Sequence, residues 1–320
     1  MPTTAKQPDA PTLDVNVAYV VVAYRSERHL EGCLDAIASD RPEGSQIVVV
    51  DNASPDRSNV IALHHASKPR IVRSTTNDGF GAGCNLGAKD TTADFLFFVN
   101  PDARLQLGAT SVLLARLRND PGISALGPRV DGPGGHSGVA SAGFEPSIRS
   151  ALGHFLLLAR LPALARVFPP LQLPPRARAG PVDWVSGAAL LIRASDFRSV
   201  GGFDESMFLY MEDVDLCRRL RDAGRVIWYE PTAKVEHDLG GSQGEEQPAR
   251  WYRAFHAYVT KRRGNGYARL VSLIAALGLG ARAFVGATGN KAKARRLRRA
   301  ALTAAGEALR PGSRETPEST

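Results

Sequence analysis

The chain is 320 residues long, 43% apolar and 22% charged, with a formal net charge of +8, an ordinary globular composition able to bury a sizeable core. The charge invites a nucleic-acid reading, but residues 281–320 hold nine Lys/Arg against three Asp/Glu, so the body is close to neutral and the basicity sits in the tail. Cys33, Cys84 and Cys217 are scattered without a Cys-x-x-Cys pair, which argues against zinc-ribbon and disulfide-scaffold classes and fits a reducing compartment.

Residues 1–14 are polar and Pro-containing and lack the basic start and apolar run of a secretory signal. They are expected to be a disordered N-terminus on a chain that stays inside the cell. Val15–Tyr24 then reads as a buried strand and Glu27–Ser39 as a helix with Leu30, Leu34 and Ile37 on one face. Gln46–Asn52 is a second strand, Pro55 to about His65 a helix capped by Ser54, and Arg70–Arg73 a short third strand. Gly81–Lys89 suits a helix and Asp94–Asn100 a fourth strand. Apolar strands alternating with helices indicate an α/β open sheet, mostly parallel and covered on both faces. Its ligands should gather at the C-terminal strand ends, where Tyr24-Arg25-Ser26, Asp51-Asn52 and Asn100-Pro101-Asp102 fall.

Farther on, Asp131–Ser141 is Gly-rich and loop-like, and Ser147–Ala179 reads as a mobile insertion on the acceptor side. Val182–Arg193 is strand-rich, a helix follows near Glu212–Ala223, and two short strands, Val226–Glu230 and Ala233–His237, close the domain.

Three segments carry chemistry. Asn77–Gly87 is glycine-rich before a helix, yet matches neither the dinucleotide fingerprint nor a Walker loop; its glycines could let backbone approach a diphosphate or a sugar. Asp102 at a strand end can hold Mg²⁺ or Mn²⁺ bridging two phosphate oxygens. In Tyr210–Leu220 helical spacing puts Asp213 on one face with Leu216, Cys217 and Leu220, and Asp215 on the opposite face, able to pair with Arg219. An inward carboxylate in the first helical turn suits a general base. His237 closes a strand and becomes a ligand candidate only through Asp102, with Asp238 as the competing oxygen donor.

Taken together, VVVAYRS, VVVDNAS, TTNDGFGAGCNLG, FVNPDA, WVSGAALLIR, GGFDESMFLYMEDVDLCRRLRDAG and AKVEH resemble the family 2 inverting glycosyltransferases of GT-A fold. Within them the set is similar to bacterial rhamnosyltransferases, including those acting on polyprenyl-diphosphate-linked N-acetylglucosamine. The resemblance implies a GT-A domain over residues 15–245 and Asp213 as catalytic base. It implies a nucleoside pocket at Ala23, Tyr24, Arg25 and Asp51, and a ribose–diphosphate path along Asn77, Gly79, Asn85, Asn100 and Asp102. Asp102 and His237 would be the metal ligands, since Asn100 replaces the first Asp of the family's Asp-x-Asp motif. Trp184, Gly187 and Glu212 would shape the sugar and acceptor sites. The implied donor is a nucleotide-diphosphate sugar, with dTDP-rhamnose favoured, and the implied acceptor a lipid-linked glycan or polysaccharide.

A helical region is expected over residues 246–300 and a disordered tail over 301–320. Leu270–Ala281 is apolar but shorter than a spanning helix, and the basic cluster Lys291–Arg299 follows it. That combination suits peripheral attachment to an anionic membrane, with packing on the domain as the alternative. A nucleotidyltransferase and a non-catalytic nucleotide-sugar binding module are the competing functions. The former is disfavoured because Tyr24-Arg25-Ser26-Glu27 has no glycine after the first strand. Nucleic acid is not an expected partner.

Overall fold

A computed structural model describes residues 16–135, 140–174, 177–238, 247–286 and 291–309. The first half alternates strand and helix: β1 (Val17–Ala23), α1 (Leu30–Asp40), β2 (Gln46–Asn52), α2 (Ser58–His64), β3 (Arg70–Ser74), α3 (Phe80–Ala88), β4 (Phe95–Val99). Then come β5 (Ala103–Leu105), α4 (Ala109–Asn119), β6 (Ile123–Asp131), β7 (Ala142–Gly143), α5 (Ile148–Phe155) and α6 (Pro162–Ala165). The second half adds β8 (Gly180–Val182), β9 (Trp184–Val185), β10 (Ala189–Arg193), α7 (Ala194–Ser199), α8 (Glu212–Asp222) and β11 (Val226–His237). Helices α9 (Gln247–Arg263), α10 (Asn265–Gly286) and α11 (Lys291–Leu309) follow.

The main sheet has nine strands in the order β3-β2-β1-β4-β10-β6-β11-β5, with β8 also paired to β11. Pairs β1–β2, β1–β4, β2–β3 and β6–β11 are parallel, whereas β10 runs antiparallel to β4 and β6. The chain leaves β1 toward β2 on one side and returns to β4 on the other. A crevice therefore opens at the C-terminal ends of β1 and β4.

Alternation along each strand splits the core in two. Tyr19, Val21, Phe97 and Leu191 face a layer made by α1, α2 and α4, while Val20, Val22, Phe98 and Leu190 face α3, α7, α8 and α9. Close packing of α3 depends on small residues. A Cβ on Gly83 or Gly87 would stand 2.6 Å from Val22 and 2.5 Å from Val20, so only glycine lets this helix lie on β1.

Several expected boundaries change. Ser54 caps no helix; its hydroxyl accepts from the Arg25 amide at 2.7 Å, and Arg57 occupies the cap position of α2. The two closing strands are one strand, β11, with a register shift between Glu230 and Lys234. Residues 147–179 hold an ordered element: α5 has a reciprocal Ser147–Ser150 capping box and packs on α10. The expected disordered tail from 301 is helical to Leu309, because Ala300, Ala301 and Ala304 of α11 are buried in the main core. The expected N-terminal disorder, and residues 310–320, lie outside the described residues.

The C-terminal helices pack on the domain. At Gly278 a Cβ would come within 2.4 Å of the Phe155 carbonyl oxygen, so α10 touches the backbone of α5. The apolar run around Leu270–Ala281 belongs to a longer helix: Asn265–Val285 passes by length and composition for a membrane span, with 39% of its most apolar stretch buried in the protein.

Candidate active site

Three strand ends and the start of α8 meet at the crevice. At the end of β1 the backbone turns left-handed at Arg25 (φ 53°), and at the end of β2 it does so at Ala53 (φ 55°). These two turns are locked together, since Ser54 Oγ accepts from Arg25 N and Ser58 Oγ accepts from Ser26 N at 2.9 Å. Tyr24 is exposed, with the Arg25 guanidinium 5.5 Å from its ring centroid. Asp51 Oδ1 accepts from Ser54 N at 2.9 Å. Ala23 is fully packed in the core beneath, so it can offer a ligand backbone atoms alone.

The glycine-rich segment is held by Asn52, whose amide donates to Asn77 Oδ1 at 2.9 Å and to the Gly79 carbonyl at 3.1 Å. Gly79 sits at φ 95°, and a Cβ there would be 2.1 Å from Phe208 O. Phe80 N donates to that same carbonyl at 3.1 Å. The 203–211 turn thus lies directly on the start of α3. Asn85 fixes the same turn: its amide donates to Phe203 O and Glu205 Oε1, and its Oδ1 accepts from Phe203 N, at 2.8–2.9 Å. The side chain expected along the ribose–diphosphate path is therefore committed to positioning the turn. Asn85 also borders a cavity of about 900 Å³ on the outer side of α3, which touches the crevice at Asn52 and Asp78 and includes neither Asp102 nor Asp213.

At the end of β4, Asp102 Oδ1 lies 3.2 Å from His237 Nε2, and Asn100 Nδ2 lies 3.2 Å from the same nitrogen. His237 is buried and its Nδ1 has no hydrogen-bond partner. Asp238 points elsewhere, its carboxylate 3.4 Å from His29 Nδ1, so the residue facing Asp102 is His237.

The acidic helix begins under strain. Tyr210 and Met211 both have φ 70°, a left-handed pair of residues with side chains immediately before Glu212. Asp213 Oδ2 accepts from Gly187 N at 2.9 Å and Oδ1 from Val214 N at 2.8 Å, and the residue remains half-open to its surroundings. Gly187 has no room for a side chain, because a Cβ would meet Phe80 Cε1 at 2.8 Å. Burial raises the Asp213 pKa, and the two backbone donors pull part of that rise back.

Glu212 is fully buried, packed beside Gly81 of α3, with Oε2 unpartnered. Burial first, and then the Asp213 charge, push its pKa well above the ordinary 4.5. Both its enclosure by protein and the neighbouring carboxylate favour its neutral form. A raised folded-state pKa means that stability falls as pH climbs above the unfolded value. Glu212→Gln should therefore gain stability over wild type increasingly from pH about 4.5 upward. Thermal melts of both proteins at pH 5 and pH 8 check this; parallel pH profiles would refute a protonated Glu212.

Two other residues are placed as follows. Trp184 is a core residue of β9 whose indole N–H donates to Phe144 O at 3.2 Å. Asp215, expected on the face opposite Asp213 and able to pair with Arg219, does pair with it at 2.7 Å, and it is 1% exposed with a second partner, Arg262 of α9, at 2.6 Å. Glu145 carried no signal in the sequence, yet it accepts from Arg218, Arg221 and Tyr258 at 2.6–3.1 Å and ties α8 to α9.

A continuous path joins the Asp102–His237 pair to Asp213. Asn100 contacts His237 through its side chain, and its amide donates to Ala188 O at 2.9 Å. The neighbouring residue, Gly187, donates to Asp213. The Asp102–His237 pair and the carboxylate of Asp213 are thus held by adjoining peptides of one turn.

Comparison with known proteins fits this geometry. The model of "Glycosyl transferase family 2" matches residues 19–161. The chain is 34% identical, over 74% of its length and 80% of the relative's, to N-acetylglucosaminyl-diphospho-decaprenol L-rhamnosyltransferase of Mycobacterium tuberculosis. Over 56 residues it is 48% identical to rhamnosyltransferase WbbL of Escherichia coli, covering 18% of this chain and 21% of that protein. Among solved structures it is similar to a mannosyltransferase from Pyrobaculum calidifontis in complex with GDP-Man and Mn²⁺, with a TM-score of 0.61 and 15% identity over 93% of this chain and 88% of that one. S. aureus TarS in complex with UDP superposes with a TM-score of 0.51 and 16% identity, over 86% of this chain and 74% of that one. The fold is GT-A, and the chain belongs to glycosyltransferase family 2.

Proposed function

We propose that the protein transfers L-rhamnose from dTDP-L-rhamnose to a hydroxyl of a lipid-linked glycan, with inversion, at the inner face of the cell membrane. The observation that carries the catalytic part is the single turn, residues 186–188, that connects Asp213 to the Asp102–His237 pair. The choice of sugar and of a polyprenyl-diphosphate-linked acceptor rests on the likeness to the mycobacterial rhamnosyltransferase.

Asp213 is suited to take the proton of the acceptor hydroxyl as oxygen attacks the anomeric carbon. Its two backbone donors fix the carboxylate, and its raised pKa keeps it basic without a competing cation. Tyr24, Arg25 and Asp51 would receive the nucleoside. Asn77 and Gly79 shape the backbone along which the ribose and diphosphate lie.

Asp102 and His237 offer one oxygen and one imidazole nitrogen converging from two strands, a donor set that suits Mn²⁺ or Mg²⁺. No cluster of three or more His, Cys, Asp or Glu that could hold a metal occurs among the described residues, so diphosphate and water must complete the shell. A divalent ion there would neutralise charge on the departing nucleoside diphosphate. Asn100, beside the same nitrogen, holds the imidazole in place from the other side.

The direct test is release of nucleoside diphosphate from dTDP-rhamnose, UDP-glucose, UDP-GlcNAc and GDP-mannose in the presence of a lipid-linked N-acetylglucosamine acceptor. Turnover confined to dTDP-rhamnose is expected, and turnover of another donor alone would discard rhamnose. For the metal, calorimetric binding of dTDP should strengthen with Mn²⁺ in wild type and lose that dependence in Asp102→Ala. An unchanged Mn²⁺ effect in the variant would remove Asp102 from the ligand set.

A further inference from the structure

A second cavity, of about 340 Å³, opens between α5, α9, α10 and α11, outside the catalytic crevice. Phe155, Trp251, Tyr252, Leu279 and Leu297 make it aromatic and apolar. Its wall is rigid: Trp251 stacks on Phe255 with centroids 5.2 Å apart, and Gly278 presses α10 onto the Phe155 carbonyl. Three basic side chains, His154, Arg282 and Arg296, also line it.

Among the described residues no carboxylate pairs with Arg282, Arg296 or the nearby Arg160. Burial lowers the Arg282 pKa and the Arg160 charge adds to the effect. Burial, then Arg282 and Arg160, bring His154 down to about 4, leaving a neutral imidazole donor. Arg282 is half-buried in this apolar wall and Arg296 stands exposed at its edge, so both guanidinium groups are placed to meet an anion held in the cavity. Arginine prefers a phosphate for its paired donors.

The surroundings are equally one-sided. On α10, Leu270, Leu273, Leu277 and Phe284 recur at helical spacing and are 46%, 49%, 62% and 84% exposed. Leu156 and Leu161 are exposed just beyond α5. The outer side of α11 carries Arg295 and Arg298. Apolar stripe, basic flank and phosphate-matched cavity all fit one partner, a bilayer of anionic phospholipid.

We propose that this cavity receives the phosphate headgroup of an anionic membrane lipid, with Arg282 and Arg296 as its ligands and the exposed face of α10 lying in the hydrocarbon boundary. Helix α10 would then lie along the leaflet with its other side still packed on α5, α9 and α11. The proposal goes beyond the sugar-transfer reading and does not require it, because lipid binding can be read with neither donor nor acceptor present.

The experiment is co-sedimentation of the full chain with vesicles of phosphatidylcholine alone, and of phosphatidylcholine mixed with one-third phosphatidylglycerol. Wild type should partition to the mixed vesicles and only weakly to the neutral ones. Arg282→Gln/Arg296→Gln should bind mixed vesicles about ten-fold more weakly or worse. Arg295→Gln/Arg298→Gln removes the same charge from α11 outside the cavity and should lose distinctly less. Far-ultraviolet melts of both double variants establish that each is folded. Equal losses in the two variants would reduce the site to a polycation and overturn the proposal. Full retention by the cavity variant, or equal binding of wild type to neutral vesicles, would overturn it as well.

Discussion

Replacing Asp213 with Asn should lower kcat by about 10²–10⁴-fold while leaving donor affinity near that of wild type, because a general base contributes about that much. The carboxylate accepts from Gly187 N and Val214 N, so its place is fixed by backbone and not by the substrate. An amide at this position keeps one acceptor and turns its NH₂ toward one of the two backbone donors. That mismatch costs about 1–3 kcal/mol of stability. Melting temperature must therefore be measured beside kcat, so that lost turnover is not lost fold. A variant that is folded, binds dTDP normally and turns over within about ten-fold of wild type would sink the assignment. The same reasoning places the acid limb of wild-type kcat/KM above the usual Asp value of 3.8, in the direction that burial moves the carboxyl.

The largest effect on stability should come from Glu145→Ala, at about 3 kcal/mol. Glu145 is 9% exposed and takes hydrogen bonds from two guanidinium groups and a buried tyrosine hydroxyl. Opposing its burial, Arg221 and then Arg218 hold its carboxyl below the usual range. Truncation leaves Tyr258 without that acceptor. The two arginines keep weaker partners, Asp222 for Arg218 and Asp183 for Arg221, which places the loss at the lower end of the range for broken buried pairs. Urea unfolding of Glu145→Ala, Arg221→Ala and the double variant should show losses that are less than additive. A loss below about 1 kcal/mol for Glu145→Ala would mean that the network is solvated and adds little.

Much of the N-terminal half was legible because its signals are local. Near-continuous apolar strands such as Val17–Ala23 and Phe95–Val99 have no other way to bury both faces, and the intervening helices carry apolar spacing such as Leu30, Leu34 and Ile37. Strands β5 and β6 gave no signal in the sequence because β5 is three residues long and β6 contains Gly127 and Pro128. Those strands exist through pairing with β11 and β10, which are remote in sequence. The helical wheel of α8 placed Asp213 beside Leu216, Cys217 and Leu220 and Asp215 on the opposite face within reach of Arg219, but it could not show that this face is buried. A wheel knows only the two sides of one helix. The far side of α8 is covered by α9, and Arg262 supplies the partner that makes burial of Asp215 tolerable. Glu145 was invisible for a similar reason: its meaning lies in three donors from two later helices.

The sharing of Asp215 between Arg219 and Arg262 bears on how such enzymes can be recombined. A chimera that exchanged everything after residue 245 would strip a buried carboxylate on the acidic helix of one of its two counter-charges. The natural seam lies farther on, at Gly264, where φ is +82° and α9 gives way to α10. Exchange at that point carries the α10–α11 hairpin as a cassette and leaves the ion pairs of the acidic helix untouched.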